Sequence, residues 1–155
     1  VSTVTITGSS DNTGTALQAI GDLTVDNAGN LLIADNFGFH PAIHKLVCGT
    51  ATVLAGSSAV GYADGTGAAA LFGNNGGISV DDNENVYVAD TDTNVIRKVT
   101  SAGVVTTIAG TPFNNSFQMG PLPGVMNKPS SVSVSGTANL YVGTPSAVLL
   151  IAGRP

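Results

Sequence analysis

Few side chains in this 155-residue chain combine the type and spacing that chemistry needs, and a structural role competes for each of them. His40 and His44 lie four apart, a separation that on a helix puts two imidazoles on one face as zinc ligands. Pro41 falls between them, so the segment reads as a turn between strands, where that spacing loses its geometric meaning. His44 also aligns with Arg97, at what reads as a surface position on a strand. Asp35 and Asp90 each close an apolar run and face a basic residue on the next one, Lys45 in one case and Arg97 or Lys98 in the other. Repeated around a ring, such carboxylates would bind calcium or act as general bases. The competing role is a turn cap with a surface ion pair worth about 0–1 kcal/mol. Asp81, Asp82 and Glu84 are rich in oxygen ligands but lack the alternating acidic loop of a calcium-binding hand, and a hairpin turn accounts for them.

The remaining candidates carry less. Cys48 is the single cysteine, so no disulfide forms within the chain, and its neighbours Leu46 and Val47 predict burial. Gly61, Gly65 and Gly67 stand in GYADGTGAAALF, but their spacing differs from a phosphate-cradling loop, the lysine is missing and Asp64 sits inside the turn. No nucleophile stands on a recognisable elbow, and no Ser-His-Asp or Cys-His set can be specified. Asn114 opens an Asn-Asn-Ser triplet, an N-glycosylation acceptor that has meaning only in a secreted eukaryotic chain. No cofactor site is expected from these residues.

The elements that must position these groups are short strands. Between Gly77 and Gly110, Ile78/Val80, Val86/Val88, Val95 to Val99 and Val104 to Ile108 form four apolar runs, mostly at period two. Turn residues separate them at Asp82 to Asn85, Asp90 to Asn94 and Ser101 to Gly103. The unit repeats: Leu23-Thr24-Val25-Asp26, Ile78-Ser79-Val80-Asp81 and Val132-Ser133-Val134-Ser135 follow one another at offsets of 55 and 54 residues. Asn30 to Asp35, Asn85 to Asp90 and Asn139 to Thr144 repeat likewise, and the fourth runs of the first two units end at Gly56 and Gly110. Val1 to Gly8, VSTVTITG, matches those fourth runs and has no earlier partner. The last unit is short and has Ser135 and Thr144 where its predecessors have aspartates; its closing AVLLIAG fits either a third or a fourth strand.

The run at 77–110, with its G-I-x-V-D, N-V-Y-V-A-D-T, N-x-I-R-K-V and V-T-T-I-A-G segments, and the A-D-G-T-G-A-A-A-L-F connection at 63–72 resemble the NHL-repeat family of β-propellers. The resemblance covers nearly the whole chain. It implies an all-β fold of four-stranded antiparallel blades, the first strand lining a central channel and the fourth at the rim, three blades to this chain. It also implies that 61–72 forms a Gly-rich turn and a helical turn whose aromatic closes the blade. The expected division is 1–20 as the last strand of a split blade plus a connection, 21–75 and 76–129 as full blades, and 130–155 as an incomplete third. Amidating lyases of similar fold hold zinc through channel histidines, but no motif here carries those residues across.

Three twisted sheets do not close a ring, so the chain is expected to be half of a six-bladed ring or part of a longer propeller. Its open edges need foreign backbone. Strand exchange would place Val4 and Ile6 of one copy beside Val148, Leu150 and Ile151 of another, as a dimer or a filament; neighbouring blades of a longer chain are the alternative. The function expected is a non-catalytic module for protein or glycan binding and self-assembly, and the alternative is part of a six-bladed metal-dependent lyase or hydrolase. Composition bounds both. Ten carboxylates oppose Lys45, Arg97, Lys98, Lys128 and Arg154 for a formal charge of −5, which removes the electrostatic drive for nucleic-acid binding. No apolar run approaches the roughly 20 residues of a membrane-spanning helix. Sparse lysine with abundant Ser, Thr, Asn and Gly leans towards an extracellular or cell-surface setting.

Overall fold

Period-two alternation places successive side chains on opposite faces of a pleated ribbon, so each short run is a strand with two faces to cover. The computed structural model describes residues 9–10, 17, 19–36, 40–116, 118, 120, 124–135 and 139–153, whose strands form three sheets. The first holds β1 (Ser9–Ser10), β2 (Ile20–Val25), β3 (Leu31–Asp35), β4 (Ala42–Val47) and β5 (Thr50–Gly56), ordered β1-β5-β4-β3-β2. The second holds β6 (Gly65–Thr66), β7 (Asn75–Val80), β8 (Val86–Asp90), β9 (Val95–Val99) and β10 (Val104–Gly110), ordered β6-β10-β9-β8-β7. The third is β11 (Ser131–Ser135), β12 (Asn139–Gly143) and β13 (Val148–Ala152), in sequence order. The chain is a partial β-propeller, and the sheets are blades 1, 2 and 3.

Among the described residues the blades have five, five and three strands, where four, four and an incomplete third blade are expected. Blades 1 and 2 gain a two-residue strand at the outer edge from the segment that enters the blade. β6 pairs antiparallel with β10, and β1, expected to be plain connection, runs parallel to β5 with Ser9 opposite Ala51. The closing segment is the third strand of blade 3, because β13 pairs with β12, Val148 opposite Gly143 and Ile151 opposite Leu140. Its register places Val148 where blade 2 has Ile96, since Ala89 opposite Ile96 is the matching pair. A short turn causes this: the Thr144 N–H donates to the Ala147 carbonyl at 2.9 Å, closing the β12–β13 connection two residues earlier than its counterpart in blade 2.

Two cores lie between blades. Leu32, Ala34, Ile43 and Ala55 of blade 1 meet Ile78, Val86, Val88, Val99 and Val105 of blade 2. Tyr87, Ala89, Ile96 and Ala109 on the other face of blade 2 meet Val132, Leu140, Val142 and Ile151 of blade 3, with Met126 between them. β8 is therefore buried along its whole length. The 61–74 segment straps blade 2 to blade 1. Gly67–Ala69 is a single 3₁₀ turn, and beyond it Ala70 and Phe72 enter the first core.

Two details of the repeat acquire physical reasons. Gly56 and Gly110, which close the fourth strands, have φ of +108° and +92°. A Cβ at Gly56 would stand 2.7 Å from the Pro41 carbonyl oxygen. Both left-handed backbone and lack of space thus require glycine there. Cys48, by contrast, corrects the expectation of burial. It is exposed, with φ +49°, beside Gly49 at φ +84° in the two-residue turn joining β4 to β5. Such hairpin turns need positive φ at both central residues, which lifts them out of the sheet.

Phe72 fills the first interblade core from the strap, so Phe72→Ala is expected to cost about 3–5 kcal/mol. Urea unfolding should show a lower midpoint with an unchanged slope.

Candidate functional site

The densest polar constellation is built around Arg97 on β9, which is fully buried. Its Nη1 donates to the Leu71 carbonyl at 3.0 Å and to Asp90 Oδ2 at 3.3 Å, and its Nη2 donates to the Ala63 carbonyl at 2.6 Å and to Asp64 Oδ1 at 2.9 Å. The guanidinium lies 4.9 Å from the Tyr62 ring centroid and 5.1 Å from that of Phe72. Asp64 Oδ2 in turn accepts the Thr107 N–H at 3.1 Å, and Asp90 Oδ1 accepts the Gly73 N–H at 3.0 Å. A planar, five-donor cation suits this work. One side chain ties both ends of the strap to the strand pair behind it.

Blade 1 has a reduced version. His44 takes the place of Arg97 and Asp35 that of Asp90, with Nε2 and Oδ2 3.9 Å apart, and Asp35 Oδ1 accepts the Ala19 N–H at 3.2 Å. Three expectations are corrected here. Arg97 and His44 are buried, and over Arg97 the strap supplies Ala63, Asp64 and Leu71 in place of water. Asp35 and Asp90 are buried beside His44 and Arg97 and are not caps on surface turns. Lys45 pairs with Asp26, Nζ to Oδ2 at 2.8 Å, rather than with Asp35. His40 is exposed while His44 lies within β4, so the two do not form a ligand pair on one face. Among the described residues no group of three or more His, Cys, Asp or Glu side chains could hold a metal ion.

The hairpin carboxylates do what a turn requires. Asp81 Oδ1 accepts the Asn83 and Asn85 N–H groups, both at 2.9 Å, and its Oδ2 accepts the Tyr87 hydroxyl at 3.0 Å. Asp26 Oδ1 accepts the Ala28 and Asn30 N–H groups, and Lys45 supplies the donor that Tyr87 supplies in blade 2. Burial opposes ionisation of both carboxyls, but these bonds outweigh it and hold both below the usual carboxylate range. Asp90 goes the other way. Burial raises it to about 6, and the contacts with Thr93, Arg97 and Gly73 offset only part of that.

The self-assembly residues divide. Val148 and Leu150 are exposed on the outer face of blade 3, whereas Ile151 points into the second core, as period two requires. Val4 and Ile6 lie outside the described residues. Asn114 is half-buried, and its Oδ1 accepts the Ser116 N–H at 3.0 Å in a local turn. Reading the sequence missed the second bare apolar surface, Ile20, Leu23 and Val25 on β2. The 55-residue repeat held the signal, since Leu23 and Val25 match Ile78 and Val80, which need a blade in front of them.

No family model matches the chain. In an alignment of 125 residues, over 76% of the chain, it is 32% identical to NHL repeat-containing protein 2 of Gallus gallus, and it spans 17% of that relative's length. A protein of unknown function from Bacteroides thetaiotaomicron superposes with a TM-score of 0.75 at 24% identity, over 84% of this chain and 34% of the other. An auxiliary nutrient binding protein from Bacteroides ovatus gives 0.70 at 22%, over 86% and 37%. A chain of a nidogen/laminin complex gives 0.63 at 19%, over 90% and 45%. These structures share the fold. This chain spans about a third to a half of each.

Two outcomes test the Arg97 cluster. Arg97→Leu leaves the buried Asp90 without its charge partner and is expected to cost about 3–5 kcal/mol in denaturant unfolding. Asp90 binds its proton more tightly folded than unfolded, so its contribution is complete below pH 3.8 and is lost as pH rises through about 6. The stability advantage of wild type over Asp90→Asn should therefore shrink by about 2–3 kcal/mol across that window. Asp26 and Asp81 act oppositely, losing their contribution as pH falls, and cancel in this comparison.

Proposed function

The chain belongs to the NHL-repeat family of β-propellers, and from that premise we propose that it is a non-catalytic binding and assembly module whose partners are proteins or glycans. The observation that carries this reading is where the reactive groups go. Asp26, Asp81, Asp90 and Arg97 are each engaged by the blade's own backbone and side chains. Apolar side chains meanwhile stand uncovered on β2 and β13. Charged groups thus serve the scaffold, and the surfaces offered to a partner are loops and sheet faces.

The auxiliary nutrient-binding proteins that share the fold support a ligand-binding role. Among the described residues no helix is long and apolar enough to cross a membrane. The finer element of the proposal is strand exchange, in which the segment containing Val4 and Ile6 in one copy pairs with the β13 edge of another.

A thermal-shift screen of the purified chain against mono- and oligosaccharides, run beside elemental analysis, tests the binding role. Saturation at a hundredfold excess over Kd is expected to add about 2.7 kcal/mol of stability. One equivalent of zinc or calcium surviving dialysis, together with lyase or hydrolase turnover, would overturn the non-catalytic reading.

A further inference from the structure

Each blade meets the next through one repeated contact, and the two halves of that contact stand uncovered at opposite ends of the chain. Ile78, beneath blade 1, is 4% exposed, whereas its counterpart Leu23 on blade 1 is 51% exposed. Tyr87 and Ile96, beneath blade 3, are 2% and 0% exposed, whereas Tyr141 and Val148, which occupy their places on blade 3, are 41% and 76% exposed. A third position differs in kind. Opposite Leu32 and Tyr87, blades 1 and 2 carry Lys45 and Lys98, but opposite Tyr141 blade 3 carries Leu150. This position is apolar in blade 3 and basic in blades 1 and 2.

The rear face of blade 1 is already furnished as the rear face of blade 2 is. Leu17 packs on Ile33, Leu46 and Ala51 at the place where Phe72, 55 residues later, packs in the first core. Polar contacts also join the inner strands, at positions two residues apart in the repeat. Asp22 Oδ2 accepts the Ile78 N–H at 2.8 Å from blade 1 to blade 2, and Ser79 Oγ accepts the Val134 N–H at 3.2 Å from blade 2 to blade 3. Ser133 repeats Ser79 on blade 3, and Val25 repeats Val134 on blade 1.

We propose that the forward face of blade 3 binds the rear face of blade 1 in a second copy of this chain. Tyr141, Val148 and Leu150 pack over Leu23 and Val25 of the second copy, and Ser133 Oγ accepts its Val25 N–H. Continuity with the two interfaces inside the chain identifies the occupant: the surface that fits behind blade 3 is one this chain itself carries. The contact is heterologous, one patch meeting a different patch, so it propagates or closes by rotation instead of pairing like with like. It rests on the assembly reading above but requires neither a saccharide nor the exchanged strand.

Light scattering coupled to size exclusion on the 155-residue chain tests it. Wild type is expected at two or more copies. A head variant, Val148→Asp with Leu150→Lys, and a tail variant, Leu23→Asp with Val25→Lys, should each be single copies. Mixed in equal amounts they should form a one-to-one pair that grows no further, because each retains the face the other lacks. The altered positions are exposed, and near-wild-type thermal midpoints will show that both variants fold. Should either double variant unfold, Leu150→Lys alone, restoring the residue of blades 1 and 2, should weaken association by about tenfold. A single-copy wild type overturns the proposal, as does a tail variant that still dimerises alone. Saccharide binding by a single-copy wild type would overturn this contact and leave the binding role standing.

Discussion

A short twisted sheet cannot cover its own faces, and that constraint organises this chain. Each blade is three to five strands wide and apolar on both sides, so it is stable only between neighbours. Blade 2 meets the condition in full: Val86 and Val88 are buried against blade 1, and Tyr87 and Ala89 against blade 3. Blades 1 and 3 meet it on one side. The repeat of 54 to 55 residues is thus the spacing at which a buried face recurs.

Covering the faces brings polar backbone inside, and the sequence answers each such problem with a charged or hydroxyl side chain. Arg97 donates to two strap carbonyls and pairs with two carboxylates beside Tyr62 and Phe72. Such a cluster is costly to break because the partners left behind remain buried. The other blades solve the problem differently. Blade 1 sets His44 beside Asp35, and blade 3 has Thr144 at the aspartate position and Leu149 at the arginine position, opposite Val142 as Arg97 is opposite Val88.

The architecture was legible in the sequence because it rests on local chemistry. Val86-Tyr87-Val88 alternates, Asp81 and Asn85 bracket a hairpin, and both recur at fixed offset. What could not be read depends on what lies in front of each residue. Arg97 and Asp90 look like exposed strand-end charges, and only the strap that crosses them makes them interior. Cys48 was misread for the opposite reason: its apolar neighbours belong to a strand, while it occupies the turn beyond. The register of β13 depended on a turn two residues shorter than its counterpart, which an ungapped alignment conceals. Leu23 and Val25 were visible as strand residues, but their exposure follows from the absence of a blade in front of them, which is a property of the stack.

The three strands of blade 3 give the molecule a direction of weakness. Among the described residues its last strand is held by one ladder and one covered face, whereas β9 is held by two ladders and two faces. Opening should therefore start at β13 and travel inward, with amide protons exchanging first there and last in the middle of blade 2. Whatever seats itself against that edge acts as a splint on the whole stack, so a partner bound at one end would be registered as slower fraying far from where it touches.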